Sequence, residues 1–229
     1  MPSKKTKHTA PTPSELLSSH IFFIPFLVAI AACWLVYRFV FDFPVWFDET
    51  LGKGLLFGVP VWAYIIMTRA HSIQKTYEPR KLLTGLLFGV AVGGVFGFTT
   101  SIMALLQSGA TPQPAALYMS DIFWAEFFLA GMTGFWESLL FFSFIYTVIE
   151  EKWSNWPLWA SVLLTVSIFV LFHIPNAFLR FEGGAVVSQI FLLTLFALGQ
   201  TLLFISKRNM YALVVTHAIW GMVLLLHGQ

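Results

Sequence analysis

Long apolar segments separated by short polar connections follow one another along most of the 229 residues. A segment of about 20 apolar residues is long enough to cross the hydrocarbon core of a bilayer as an α-helix. The pattern predicts seven such helices, over residues 21–41, 51–68, 82–106, 122–149, 157–178, 185–206 and 210–227. We therefore expect an all-α integral membrane protein, a bundle of seven transmembrane helices.

The fourth segment is the longest of the seven. Gly131 and Gly134 could break it into an interfacial piece and a span, which would give eight crossings as the alternative. Residues 1–19 carry several lysines and prolines and are expected to form a disordered basic tail. Residues 20–229 are expected to form a single polytopic membrane domain.

Composition excludes a soluble globular protein. Apolar residues make up 58% of the chain, charged residues 10%, and the mean hydropathy is +0.78. Soluble domains contain about 25% charged residues. The single cysteine, Cys33, excludes an internal disulfide and a cysteine-based metal site. No basic stretch interleaved with aromatic residues indicates a nucleic-acid partner.

Basic residues in the connections predict the orientation. With a cytoplasmic N-terminus, ten of the 13 Lys and Arg residues face the cytoplasm. These are Lys4, Lys5, Lys7, Arg69, Lys75, Arg80, Lys81, Lys152, Lys207 and Arg208. The other three, Arg38, Lys53 and Arg180, then lie on the opposite side. Because cytoplasmic loops are enriched in Lys and Arg, we expect the N-terminus inside and the C-terminus outside, in a bacterial cytoplasmic membrane.

Three ionisable side chains interrupt apolar segments at similar depth: Glu137, His173 and His217. A charged group near the bilayer centre costs about 3 kcal/mol on insertion scales, so it normally has a partner and a function. A glutamate could activate water for attack on a peptide carbonyl, and a histidine could stabilise the oxyanion. The same three groups could instead bind a metal ion. We favour the first interpretation and expect no cofactor.

Two further polar residues are candidates for supporting roles. Glu126 lies three turns before Glu137 on nearly the same helix face, so it could line an access path or mark the membrane interface. Asn176 lies close after His173 and could add a hydrogen bond or end the helix after Pro175.

Glycine recurs at every fourth position of the third segment, at Gly85, Gly89, Gly93 and Gly97. This spacing predicts a stripe of small residues for close contact with another helix.

The sequence contains neither the His-Glu-x-x-His motif of zinc proteases nor Gly-x-Ser-Gly. It resembles instead the CPBP family of CAAX-prenyl and bacteriocin-processing membrane proteases, over about residues 120–227. Phe169-x-x-x-His173 is similar to the second family motif. The stretch FALGQTLLFISKRNMYALVVTHAIWG, which contains His217 and Trp220, is similar to the last conserved region.

The first family motif, Glu-Glu-x-x-x-Arg, aligns with WESLLFF at residues 136–142 through Glu137. The resemblance implies a glutamic-type intramembrane endopeptidase in which Glu137 activates water while His173 and His217 assist and bind the oxyanion. Asn176, Glu126 and Trp220 would support the site or contact the substrate. That substrate would be a membrane-associated sorting signal or leader peptide, and the partner would be the lipid bilayer rather than a nucleic acid.

Three positions depart from the family pattern. Ser138 stands for the second glutamate, Phe142 for the arginine, and Gly221 for an asparagine. These changes leave a second interpretation open, an inactive relative that acts as a membrane scaffold or transporter-like binding protein. A transporter usually shows an internal repeat with interrupted helices, and none is evident in this sequence.

Overall fold

The computed structural model describes residues 20–108 and 121–227, so the predicted N-terminal tail lies outside the described residues. The described chain is helical and contains no strand. Its long helices are α1 Phe23–Val40, α2 Val45–Thr68, α3 Leu82–Ser108, α4 Phe123–Lys152, α5 Leu158–Arg180, α6 Gly184–Lys207 and α7 Met210–His227.

Six of the helices in the described chain are long and apolar enough to cross a membrane, and α7 contributes a shorter apolar segment over Met210–Val223. Helices that are apolar on all sides are typical of membrane spans. In α1 only 17% of the most apolar window is buried inside the bundle, which leaves its apolar exterior for lipid. The predicted all-α membrane bundle is therefore confirmed.

Helix α2 begins six residues earlier than predicted and contains two π-helical stretches, Asp48–Gly52 and Gly54–Gly58. Lys53, which the sequence analysis counted among the basic residues of the connections, lies between them and is buried. The helix tolerates this charge because Lys53 pairs with Glu49 one turn earlier.

Helix α4 runs without a break through Gly131 and Gly134, so the alternative with eight crossings was wrong. A Cβ atom at Gly134 would lie 2.9 Å from the Val214 carbonyl oxygen of α7. This glycine allows close helix packing rather than a break. After Glu137 the helix widens into a π-helix over Ser138–Tyr146, in which every residue is buried.

The glycine stripe of α3 packs along α7, as predicted. A Cβ atom at Gly89 would lie 2.8 Å from the Ala212 carbonyl oxygen, and one at Gly93 would lie 2.6 Å from Ile219. A Cβ atom at Gly94, which is off the stripe, would have nothing within 4 Å of it. The stripe brings α3 into close contact with α7, the helix that carries His217.

Candidate active site

Glu137 lies at the centre of the bundle, at the junction between the α-helical and π-helical parts of α4. Its side chain is buried, and it lies one turn after Gly134, where α4 and α7 approach most closely. π-helical turns occur frequently at functional sites because they change which side chains a helix presents. The junction directs this carboxylate toward α2, α5 and α7.

The structure brings Glu137, His173 and His217 together. Oε2 of Glu137 is 3.3 Å from Nε2 of His173 and 3.4 Å from Nε2 of His217. The two rings belong to α5 and α7, so side chains of three helices, α4, α5 and α7, meet at one carboxylate oxygen. Their meeting matches the sequence-based expectation, whereas their catalytic roles stay a prediction.

Phe169 explains the spacing of the second motif. Its carbonyl oxygen accepts a hydrogen bond from Nδ1 of His173 at 2.7 Å, and the two rings stack with centroids 4.1 Å apart. With Nδ1 as the donor, Nε2 is the nitrogen that faces Glu137. A residue four positions earlier on the same helix therefore fixes both the orientation and the tautomer of His173.

The ring of His217 is held differently. Phe196 of α6 packs edge-on against it with centroids 4.8 Å apart, and its Nδ1 has no hydrogen-bond partner among the described residues. Buried polar atoms are normally satisfied, so an unpaired ring nitrogen in this position is available to a water molecule or a ligand.

Lys53 is the residue of this site that sequence reasoning missed. Its ammonium donates to Oε1 of Glu137 at 2.7 Å and to Oε2 of Glu49 at 2.5 Å. Glu49 also accepts a hydrogen bond from the Thr133 hydroxyl of α4. The signal in the sequence was the Glu49-x-x-x-Lys53 spacing at the start of an apolar segment.

The two carboxylate oxygens of Glu137 have different partners. Oε1 is occupied by the ammonium, whereas Oε2 faces the two histidine rings. A buried carboxylate without a cation would be very costly, and the lysine removes that cost without occupying Oε2.

These side chains open into a cavity of about 570 Å³. This volume lies within the range of small-molecule and peptide pockets, about 300–1,000 Å³. Glu126, Asn176 and Trp220, the three supporting candidates, all line it. Oδ1 of Asn176 is buried and has no partner among the described residues, so like His217 it can bond to an occupant.

The three departures from the family pattern have structural consequences. Phe142 is fully buried and stacks on Phe169, the ring that supports His173. Ser138 is buried, and Gly221 lines the cavity. The cation beside Glu137 is supplied by Lys53 of α2, where the family motif carries an arginine on the same helix as the glutamate.

A metal ion would find two imidazoles and one carboxylate here. Within the described ranges, no three His, Cys, Asp or Glu side chains are arranged as a metal-binding group. Lys53 also lies 2.7 Å from the same carboxylate, and its positive charge opposes a divalent cation at that position. The charge and the donor set of this group therefore suit water better than a divalent cation.

One comparison with known proteins gives a match. The family model described as type II CAAX prenyl endopeptidase, Rce1-like, matches residues 119–223. No curated protein matches the chain, and no solved structure does. The matched segment contains Glu137, His173 and His217, and the match confirms the resemblance to the CPBP family.

Proposed function

Because residues 119–223 match the Rce1-like family model of type II CAAX prenyl endopeptidases, we propose that this chain is an intramembrane peptidase with Glu137 as its general base. The family is generally one of CAAX-type membrane proteases, and it supports a function of that kind. The observation that carries the finer proposal is the convergence of Glu137 Oε2 with two imidazole nitrogens at the wall of the cavity.

In the proposed reaction, a water molecule in the cavity lies against Oε2 of Glu137. The carboxylate removes a proton from the water as its oxygen adds to the scissile carbonyl carbon. The C–N bond then breaks, and the proton held by Glu137 passes to the leaving amine. The products are a new carboxyl terminus and a new amino terminus, and Glu137 is regenerated.

The histidines have distinct parts in this scheme. His173 is held by Phe169 with Nε2 toward Glu137, which suits it to orient the attacking water. His217 donates the N–H of Nδ1, the ring nitrogen that has no partner among the described residues, to the developing oxyanion. A donor fixed in a dry site stabilises an oxyanion far more than it would in water.

Lys53 acts as a positioning residue. It holds Oε1 of Glu137, so that Oε2 is the oxygen presented to water, and it is itself held by Glu49. Lys53 and Glu137 are thus already in position before a substrate enters, and such preorganisation is the condition for efficient electrostatic stabilisation.

The proposed substrate is a membrane-anchored peptide, such as a sorting signal or a leader. The cavity includes Arg180 at the end of α5 and Val45 at the start of α2, which are ends on the same side of the bundle. With the N-terminus inside, as the basic connections suggest, this side faces outward. The proposed setting is the bacterial cytoplasmic membrane with cleavage near the outer leaflet.

The test compares peptide termini in membranes of cells that express the wild type, Glu137→Gln or Glu182→Gln. Glu182 lies in the exposed connection between α5 and α6, so its change is a matched carboxylate-to-amide control. We expect new termini with the wild type and the control, and none with Glu137→Gln at equal protein level. Equal termini in all three would overturn the peptidase proposal.

The same comparison separates the alternatives. An inactive relative that serves as a scaffold or transporter-like binding protein is favoured by Ser138 and Phe142, and it would produce no new termini with any variant. Treating active membranes with a chelator tests the metal alternative, because a hydrolase that uses Glu137 and water alone keeps its activity.

A further inference from the structure

A second cavity lies where α3 and α7 begin and α6 ends. It has a volume of about 400 Å³. Its polar lining consists of three cationic side chains, Arg80, Lys81 and Lys207, together with Thr84 and Asn209. This group, which we call the basic cavity, shares no residue with the active-site cavity.

The walls of the basic cavity are fixed to each other. Nζ of Lys81 donates to the carbonyl oxygens of Lys75 at 2.6 Å and Arg208 at 2.9 Å. The side chain of Asn209 donates to the Lys81 carbonyl oxygen at 2.9 Å and accepts from the Tyr211 N–H at 3.0 Å. The tight turn between α6 and α7 is thereby locked to the start of α3.

The positive charge of this cavity is poorly balanced by the protein. No described carboxylate lines it. Within the described chain, Lys81 and Lys207 form no ion pair; Lys207 lies instead over the ring of Phe88, 4.3 Å from its centroid. Arg80 pairs with Glu78, but its side chain is 80% exposed. Three cations without an equal number of carboxylates favour an anionic ligand.

The two helices beside the cavity, α3 and α6, expose apolar side chains. Leu83 and Leu87 of α3 are exposed, as are Leu198 and Leu202 of α6. An inorganic anion would use only the cations, whereas an amphiphile would use the cations and the apolar surface together. Basic pockets between transmembrane helices bind the headgroups of anionic lipids by this combination.

We propose that the basic cavity binds the phosphate headgroup of an anionic phospholipid, with its acyl chains on the exposed leucines of α3 and α6. Lys207 and Arg80 contact the phosphate, and Thr84 at the start of α3 adds a hydroxyl donor. The site requires neither the proposed reaction nor a particular orientation in the membrane.

The test measures lipid binding to the purified full-length protein in detergent micelles by native mass spectrometry. Phosphatidylglycerol, phosphatidylcholine and inorganic phosphate are the three probes. Arg80→Gln with Lys207→Gln removes two exposed cations, and Lys75→Gln is the matched control because Lys75 is exposed at the same end but outside the cavity.

We expect phosphatidylglycerol to bind more tightly than phosphatidylcholine, and the double variant to bind it about 25-fold more weakly, since each basic residue near an anionic lipid contributes a factor of about five. The control should bind like the wild type. Equal binding of both lipids, or equal weakening by the control, would overturn the site. If inorganic phosphate bound as tightly as phosphatidylglycerol, a free anion would replace the lipid as the ligand.

Discussion

The two groups of ionisable side chains in this bundle differ in how their charge is balanced. In the active-site group, Lys53 is bound by two carboxylates and Glu137 by a lysine and two histidines. In the basic cavity, Lys81 and Lys207 have no carboxylate partner among the described residues.

Burial accounts for this difference. A charge inside the bundle must be paired by the protein because it is removed from bulk water and from the lipid headgroups. A cation at a helix end can be paired by an external anion. The inner group is therefore suited to chemistry, and the outer group to recognition at the membrane surface. Variants of Glu137, Lys53, Gly89 and Thr133 test this difference, and their expected effects decrease in that order.

The largest effect is expected from Glu137→Gln. The amide keeps the shape of the side chain but cannot accept a proton from water, so peptidase activity should fall by about 10²–10⁴-fold. Cleavage of a reporter identified from the terminus comparison measures this loss. Full activity in a correctly folded Glu137→Gln protein would contradict the assignment of the base.

The next effect is on stability. Lys53→Met leaves the buried Glu137 and the partly buried Glu49 without their cation, which should cost about 3–5 kcal/mol in the free energy of unfolding. Thermal unfolding in micelles measures the change, with Lys75→Met as a control at an exposed lysine outside both cavities. The double variant Lys53→Met with Glu49→Gln should recover part of the loss. An unchanged unfolding temperature for Lys53→Met would show that the lysine does not balance these carboxylates.

Helix α7 connects the two regions, because it carries His217 and begins at the basic cavity. Gly89→Ala would press a methyl group against the Ala212 backbone and should cost about 1–3 kcal/mol. Gly94→Ala meets open space and serves as the control. Activity and lipid binding should both decline in Gly89→Ala alone. A decline of equal size in Gly94→Ala would mean that the contact between Gly89 and Ala212 is not responsible.

The smallest effect is expected from Thr133→Val, which removes the hydroxyl that donates to Glu49. One such hydrogen bond contributes about 1 kcal/mol. Thr99→Val is the comparison, because the Thr99 hydroxyl bonds only to the carbonyl of its own helix. The two unfolding temperatures should differ, and identical values would remove Thr133 from the active-site network.

The lengths and positions of the apolar segments were enough to predict the helices. The segment predicted over 21–41 corresponds to Phe23–Val40 in the structure, and most of the others agree as closely. The count of basic residues treated Lys53 as part of a connection, because its buried partner Glu137 could not be recognised from the sequence. The pairing with Glu137 joins residues 84 positions apart, which no local pattern reveals.

The active-site residues were predictable to the extent that they are isolated charges in apolar helices. Glu137, His173 and His217 stood out for that reason, whereas Thr133 resembled any helical threonine. The basic cavity was not predicted because Lys81 and Lys207 belong to separate turns that only the packing of α3 against α7 brings together. The π-helix after Glu137 likewise has no signature in the sequence.

The most direct test of the central claim follows oxygen from water into product. Membranes containing the wild type or Glu137→Gln are incubated in ¹⁸O-labelled water, and the newly formed carboxyl termini are analysed by mass spectrometry. The account predicts labelled termini with the wild type and none with Glu137→Gln. Labelled termini of equal abundance in both, or none with either, would contradict the claim that Glu137 activates water for peptide hydrolysis.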